Sequence, residues 1–321
     1  MKLSDLWSYL HFALVLLLHC YACEGGASGE VAAEKRPALW VDALRGEPIE
    51  FDEMLDDLQT ARVVYLGEYH TIARHHELEK RVLEGLINRG AKLVLAMEQF
   101  EFFNQPVLDR FNQGTISLDE LIQEANLPKR WTGYTNYMPL LASARAHQVL
   151  VLALNARAET IRAVGRGGGI SKLSREQRSE LPDTLQVTDP MYEKLLTQVL
   201  GVHMAFDTAR LKPAFEAQVA RDETMASRLA QFLTSPEGRD CTAVVVCGRG
   251  HCEYGLGTPS RMERRIPKIS QRVVLFSESG DLQLSEQERK QAREVEITHA
   301  FLQELGKPAG DYFQATALRQ R

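Results

Sequence analysis

The sequence predicts an α/β fold in three layers, a mostly parallel sheet with helices on both faces and a helical lid inserted late in the chain. Three observations predict it. Short, continuously apolar runs alternate with helical patterns, as strands do when helices cover both faces of a parallel sheet. The core runs each end in residues able to bind a ligand. Late in the chain the strand–helix rhythm gives way to a long stretch of helical spacing.

Length and composition set the outer limits. The 321 residues suit one large domain or two small ones. With 44% hydrophobic and 25% charged residues, the composition is that of an ordinary soluble globular protein. A net charge of −5 with interspersed signs offers no broad basic surface, so nucleic acid is not an expected partner. No internal repeat points to a solenoid or propeller.

At the N-terminus, Lys2 precedes an apolar run over 10–18 that is too short to span a bilayer comfortably and suits the core of a secretory signal. Ala22-Cys23 and the polar, glycine-rich residues 24–29 follow. The segment 1–23 resembles a signal peptide of the bacterial lipoprotein type with Cys23 as the acylated residue; a plain signal peptide or an uncleaved anchor are the alternatives. Residues 24–50 read as a linker and N-terminal extension. The chain is thus expected to be exported, to the periplasmic side or the cell surface, and lipid-anchored at Cys23. Of the five cysteines, Cys241, Cys247 and Cys252 would remain, which is no disulfide framework: one bridge with a thiol left over, or none.

Taken in order, the main domain covers 51–280. Residues 51–58 place apolar side chains at helical intervals and lead into a first strand at 63–66. The pattern over 72–88 is helical and stops at Gly90, a residue that accepts the positive φ of a helix C-terminus. A second strand covers 92–98. Helical regions at 104–111 and 118–125 and an aromatic loop at 131–137 precede a helix at 139–147, then a third strand at 149–154. Glycines at 165–169 open a helical insertion over about 165–236, read as a lid above the strand ends. A fourth strand covers 241–247 and a fifth 272–276. Residues 281–321 are expected to form a charged helix, over 285–304, and an irregular tail.

In a parallel sheet the strand ends lie along one edge and their loops converge on a cleft. Glu68 and His70, Glu98, Asn155 and Arg157, and His251 each follow a core strand. Histidine binds metals or moves protons near neutral pH, and a carboxylate serves as ligand or base. Asn155 has a bland alternative as a helix cap. His75 and His76 extend the first motif, with surface histidines in a first helical turn as the alternative. Cys247, His251 and Cys252 lack the paired Cys-x2-Cys spacing of structural zinc sites, and Cys247 reads more simply as a buried strand residue. Trp131, Tyr134 and Tyr137 either stack on a flat ligand, or supply a phenolate to iron, or simply pack.

Several stretches together resemble the ChaN-like haem-binding proteins: Gly67-Glu68-Tyr69-His70 with His75-His76, Met97-Glu98-Gln99-Phe100 with Gln105, Leu154-Asn155-Ala156, residues 217–226, and Gly248-Arg249-Gly250-His251 with Gly257-Thr258-Pro259. The resemblance covers roughly residues 55–265 in the same order. That family is similar to the wider Tiki/TraB and erythromycin-esterase-like group, marked by a pair of Gly-x-x-His motifs. It implies a three-layer α/β fold, lipoproteins of iron acquisition, and haem bound between protomers through a tyrosine. Tyr134 and Tyr137 are then the candidate ligands by position, with Asn155, Arg157 and Arg249 as further cofactor contacts. Arg249 departs from the less bulky, uncharged residue usual there; it either pairs with a haem propionate or another anion, or disturbs metal binding.

Two readings follow. The first is an exported, membrane-anchored haem- or cofactor-binding protein of iron or haem uptake, with haem, a membrane surface, a second protomer and an outer-membrane receptor as partners. The second is a divalent-metal-dependent hydrolase, with His70, His251, Glu68 and His75 as metal ligands and Glu68 or Glu98 activating water. A structural lipoprotein with a degenerate site is the blander third.

Overall fold

The computed structural model describes residues 38–203, 208–276 and 306–316. The signal segment at 1–23 and the helix expected over 285–304 lie outside the described residues. Two short strands, β1 (Ala38–Asp42) and β2 (Glu47–Ile49), lead to helix α1 (Phe51–Leu58), strand β3 (Val63–Glu68), helix α2 (Ala73–Asn88) and strand β4 (Leu93–Glu101). Helices α3 (Gln105–Asn112), α4 (Leu118–Glu124), α5 (Leu127–Arg130) and α6 (Met138–Ala146) follow, then strand β5 (Leu150–Asn155). Helices α7 (Ala158–Gly167), α8 (Arg175–Ser179), α9 (Pro190–His203) and α10 (Thr208–Thr234) separate β5 from β6 (Thr242–Gly248). Helix α11 (Thr258–Arg265), strand β7 (Gln271–Phe276) and strand β8 (Tyr312–Thr316) complete the described fold.

The eight strands form one sheet in the order β2-β1-β8-β7-β3-β6-β4-β5. From β8 to β5 all neighbours run parallel, and β1 is antiparallel to both β8 and β2. Because both faces are covered, side chains of either parity along a strand are buried. Val64, Leu66, Leu95, Met97, Val244 and Val246 face one core with α1, α2 and α6. Val63, Tyr65, Val94, Ala96, Val245 and Cys247 face the other, with the second half of α10. Cys241, Cys247 and Cys252 are buried thiols without a disulfide.

Register places the site. Gly67 pairs with Cys247, Glu68 with Gly248, and Met97 with Val246, so the ends of β3, β6 and β4 stand at nearly one level. The chain passes from β3 across to β4, while β6, which lies between them, leads back to β7 on the far side of β3. Such a reversal is where the loops at the carboxyl ends of parallel strands part and leave a crevice.

Two expectations are revised. The tail is not irregular over 312–316: β8 pairs with β7 and β1, and Tyr312 donates to Asp57 Oδ2 at 2.7 Å while Arg272 grips the same carboxylate at 2.6 and 2.9 Å. The helical insertion divides in two. Met225, Ala226, Leu229, Ala230 and Leu233 of α10 pack on the sheet itself, so this half is the crossover helix leading to β6. Phe215 and Val219 of its first half pack instead with Tyr192 and Leu196 of α9, away from the main sheet core.

Candidate functional site

The two Gly-x-x-His motifs make room for each other. A Cβ on Gly67 would lie 2.8 Å from Cys252 Sγ, 3.3 Å from Arg249 Cα and 2.5 Å from Leu275 Cδ2, so the second motif's loop rests on the bare backbone of the first. A Cβ on Gly248 would lie 3.0 Å from His70 Nε2, so the first motif's imidazole rests on the second. The glycines are therefore required by close approach, not by an unusual φ. Gly67→Ala is expected to lower stability by about 1–3 kcal/mol, the usual cost of overpacking, read from urea unfolding. An unchanged urea midpoint would show that the loop over Gly67 yields freely.

Glu68 is the hub of the first cluster. Its Oε1 accepts from Tyr137 OH at 2.6 Å and Gln99 Nε2 at 2.9 Å, and lies 2.8 Å from His70 Nδ1. Its Oε2 lies 3.1 Å from His76 Nδ1, outside hydrogen-bond direction. His76 Nδ1 also meets Glu79 Oε2 at 3.2 Å, and His76 Nε2 meets the carbonyl of His70 at 3.1 Å. The carbonyl of His70 can only accept, so His76 Nε2 carries a hydrogen, and the Glu68 and Glu79 carboxyls beside Nδ1 favour the charged ring. Burial works to lower its pKa, yet Glu68 and Glu79 raise it to about 10. Burial would raise Glu68, but the His70 and His76 imidazoles beside it hold it well below the usual carboxylate range. Burial and the neighbouring Glu68 charge push Glu79 well above that range. Burial likewise works against the charged form of His70, and Glu68 outweighs it to raise the imidazole.

The second cluster crosses from β4 to α10. Glu98 Oε2 accepts the Gly248 amide at 2.8 Å and lies 4.0 Å from His70 Nε2, and its Oε1 lies 3.3 Å from His251 Nε2. His251 Nδ1 lies 2.7 Å from Asp222 Oδ1, which also accepts from Thr258 Oγ1 at 3.0 Å. Tyr192 OH donates to Asp222 Oδ2 at 2.7 Å, and Arg221 stands 3.9 Å from Glu98. Burial would raise Glu98, but His251, then His70 and Arg221, hold it at about 2. Burial would lower His251, and Glu98 with Asp222 raise it to about 10. At neutral pH the cluster is therefore a carboxylate between two imidazole rings, with Asp222 fixing the second ring through Nδ1. Such a set can donate protons and hold an anionic or polarised group at the crevice.

Of the residues expected from sequence, Glu68, His70, Glu98 and His251 converge. Asn155 donates from Nδ2 to the carbonyl of Glu98 at 3.0 Å, so it braces the end of β4. Tyr137 is buried with its hydroxyl committed to Glu68. Arg157 pairs with Glu180 at 2.8 Å and lies over Phe103. Arg249 pairs with Glu253 and covers the Tyr69 ring at 5.1 Å. His75 accepts the Tyr69 amide at 3.0 Å and packs against Phe276; its neighbour His76 is the histidine that reaches Glu68. Tyr134 is half-buried beside Trp131, whose ring meets His70 at 5.0 Å. Sequence reasoning gave no role to Gln99, Glu79, Tyr192 or Asp222. The available signal was charge on an apolar helical stripe: Glu79 lies between Leu78 and Val82, and Asp222 between Val219 and Met225.

With this fold and site in place, the chain belongs to the family of haem-binding uptake proteins of the Tiki superfamily, ChaN, whose family model matches residues 54–262. That span holds every strand-end residue of both clusters. The fold is similar to that of ChaN of Campylobacter jejuni, a structure of cofacial haem binding: TM-score 0.65, 19% identity, covering 87% of this chain and 97% of that one. It is also similar, at TM-score 0.45 and 12% identity over 74% of this chain and 76% of the other, to an erythromycin esterase in its open conformation. In sequence it is 28% identical over 257 residues, 72% of this chain, to the chloroplastic protein RETICULATA-RELATED 5 of Arabidopsis thaliana. The match spans only 34% of that plant protein's length.

Proposed function

We propose that this chain is an exported, membrane-anchored haem-binding protein of iron or haem uptake. The observation that carries the reading is the family match over 54–262, which takes in the whole strand-end crevice. The apolar run at 10–18 and Cys23 support export and anchoring, and the cofacial haem of the Campylobacter relative supports a paired protomer. An outer-membrane receptor as partner follows from an uptake role. Among the described residues no helix is long and apolar enough to cross a membrane.

The residues at the mouth of the crevice fit haem in a specific way. The phenol of Tyr137 does not, being buried and bonded to Glu68. The His251 ring is held by Asp222 on one side and faces Glu98 on the other. Tyr134 and Tyr69 are half-buried, next to the half-buried ring of Trp131 and the guanidinium of Arg249. One of these phenols would hold the iron, and Arg249 a propionate. Haem, when bound, supplies the iron and the flat apolar face that the protein carries. The chain's own residues orient it and shield one side from water.

Haemin titration of Tyr134→Phe and Tyr69→Phe tests the placement. Loss of the ligating phenol is expected to shift the Soret band and weaken binding by about tenfold or more, as removal of a metal-supporting group does. If both variants and their combination bind like the wild type, the mouth of the crevice is not where haem sits. A divalent-metal hydrolase is the second reading, favoured by one observation: the buried Glu98–His251 and Glu68–His70 pairs supply acid–base chemistry that carriage of haem does not require.

A further inference from the structure

Behind the crevice, on the α2 side of β3, lies a group of donors that the haem reading leaves unused. His76 and Glu79 are three residues apart on α2 and so share one face of the helix, which lays them against Glu68 at the end of β3. We propose that Glu68, His76 and Glu79 form a binding site for a divalent transition-metal ion of the zinc, manganese or iron(II) type.

Geometry is the first argument. One donor atom from each residue lies within 4.8 Å of the others, the one such trio among the described residues. His76 Nδ1 stands 3.1 Å from Glu68 Oε2 and 3.2 Å from Glu79 Oε2. Metal–ligand bonds of about 2.0–2.2 Å put neighbouring donors about 3.0–3.5 Å apart around a tetrahedral or octahedral ion. His76 Nδ1 already stands at that spacing from an oxygen of each carboxyl.

Unsatisfied oxygens are the second argument. Glu68 Oε2 and Glu79 Oε1 are buried without a hydrogen-bond partner, on side chains that are 1% and 0% exposed. Buried carboxylate oxygens are costly unless paired or bound to a metal. Glu68 divides its labour accordingly: Oε1 takes Tyr137, Gln99 and His70, and Oε2 is left facing His76. On binding, an ion would displace the His76 Nδ1 proton and the proton that burial keeps on Glu79, and both would leave to solvent. Two carboxylates and one imidazole form a donor set for zinc, manganese or iron(II), not for ions that select thiolate. The Tyr137 ring, 4.3 Å from His76, closes one side. The site differs from the one expected from the two Gly-x-x-His histidines, since His70 reaches Glu68 through Nδ1 and His251 reaches Asp222. It does not depend on haem.

The test uses the full chain, stripped by chelator and titrated calorimetrically with Zn²⁺ and with Mn²⁺. One ion per chain is expected, with affinity falling by about 100-fold or more in Glu79→Gln and in His76→Gln, both checked for folding by circular dichroism. Anomalous scattering from wild-type crystals soaked in Zn²⁺ gives a readout that no variant can confound. A peak between Glu68 Oε2, His76 Nδ1 and Glu79 supports the site. A peak between His70 and His251, wild-type affinity in both variants, or no stoichiometric ion at all overturns it.

Discussion

Glu68→Ala is expected to destabilise the metal-free protein by about 3–5 kcal/mol, the usual cost of removing one partner from a buried ion pair. The cost arises on several sides at once. The Tyr137 hydroxyl, the Gln99 amide and His70 Nδ1 lose their shared acceptor, and the His76 cation keeps only Glu79. The urea midpoint should fall while the slope of the transition stays the same, because the unfolded chain is unaltered. Adding His76→Ala should then recover part of the loss, because the imidazolium is the charge left stranded. A double-mutant cycle is expected to give coupling of about 1–3 kcal/mol. Strict additivity would mean that Glu68 and His76 do not act as a pair.

Asp222→Ala is expected to be of similar size, about 3–5 kcal/mol, since His251 is left as a buried cation beside Glu98 alone and Tyr192 and Thr258 lose their acceptor. It should also change how stability depends on pH. His251 is raised in the fold to about 10, from the value near 6.5 of an unperturbed imidazole. A group raised in this way contributes in full below its unfolded pKa, and its contribution is lost as pH climbs through the folded one. The wild type should therefore lose thermal stability steadily between about pH 6.5 and 10, with His76 contributing over the same window. On the acid side Glu98, held at about 2, contributes above its unfolded value near 4.5 and loses its effect as pH falls through 2. In Asp222→Ala the alkaline decline should be shallower, because His251 has lost one of the two charges that raise it. Melting curves between pH 6 and 10 that run parallel in the two proteins would contradict the assignment.

The parts of the fold written in continuous apolar runs were legible. Residues 63–66, 92–98, 149–154, 241–247 and 272–276 each became a strand, because a sheet covered on both faces buries every side chain along it. From those runs followed the convergence of Glu68, His70, Glu98 and His251, since parallel strands in register bring their ends to one level. The edge of the sheet was not legible. Tyr312–Thr316 has no apolar run of its own and becomes a strand by pairing with β1 and β7. Nor was the boundary inside α10, where one unbroken helical pattern serves two neighbours, the sheet at Met225–Leu233 and α9 at Phe215 and Val219. The supporting residues of the site were hidden for a related reason. Asp222, Glu79 and His76 sit on helices, and helical spacing shows which face is buried but not which strand end that face meets. Between His75 and His76 the choice rested on a rotation of about 100° along the helix, which sequence spacing near a helix start does not fix.

Haemin binding to the wild-type chain tests most directly the proposal that the strand-end crevice is a haem site. Titrated with haemin and followed in the Soret region, the purified protein is expected to show a saturable band at a fixed ratio to protein, undisturbed by competing free imidazole if the ligand is a phenolate. A linear rise with no saturation, matching haemin in buffer, would contradict it.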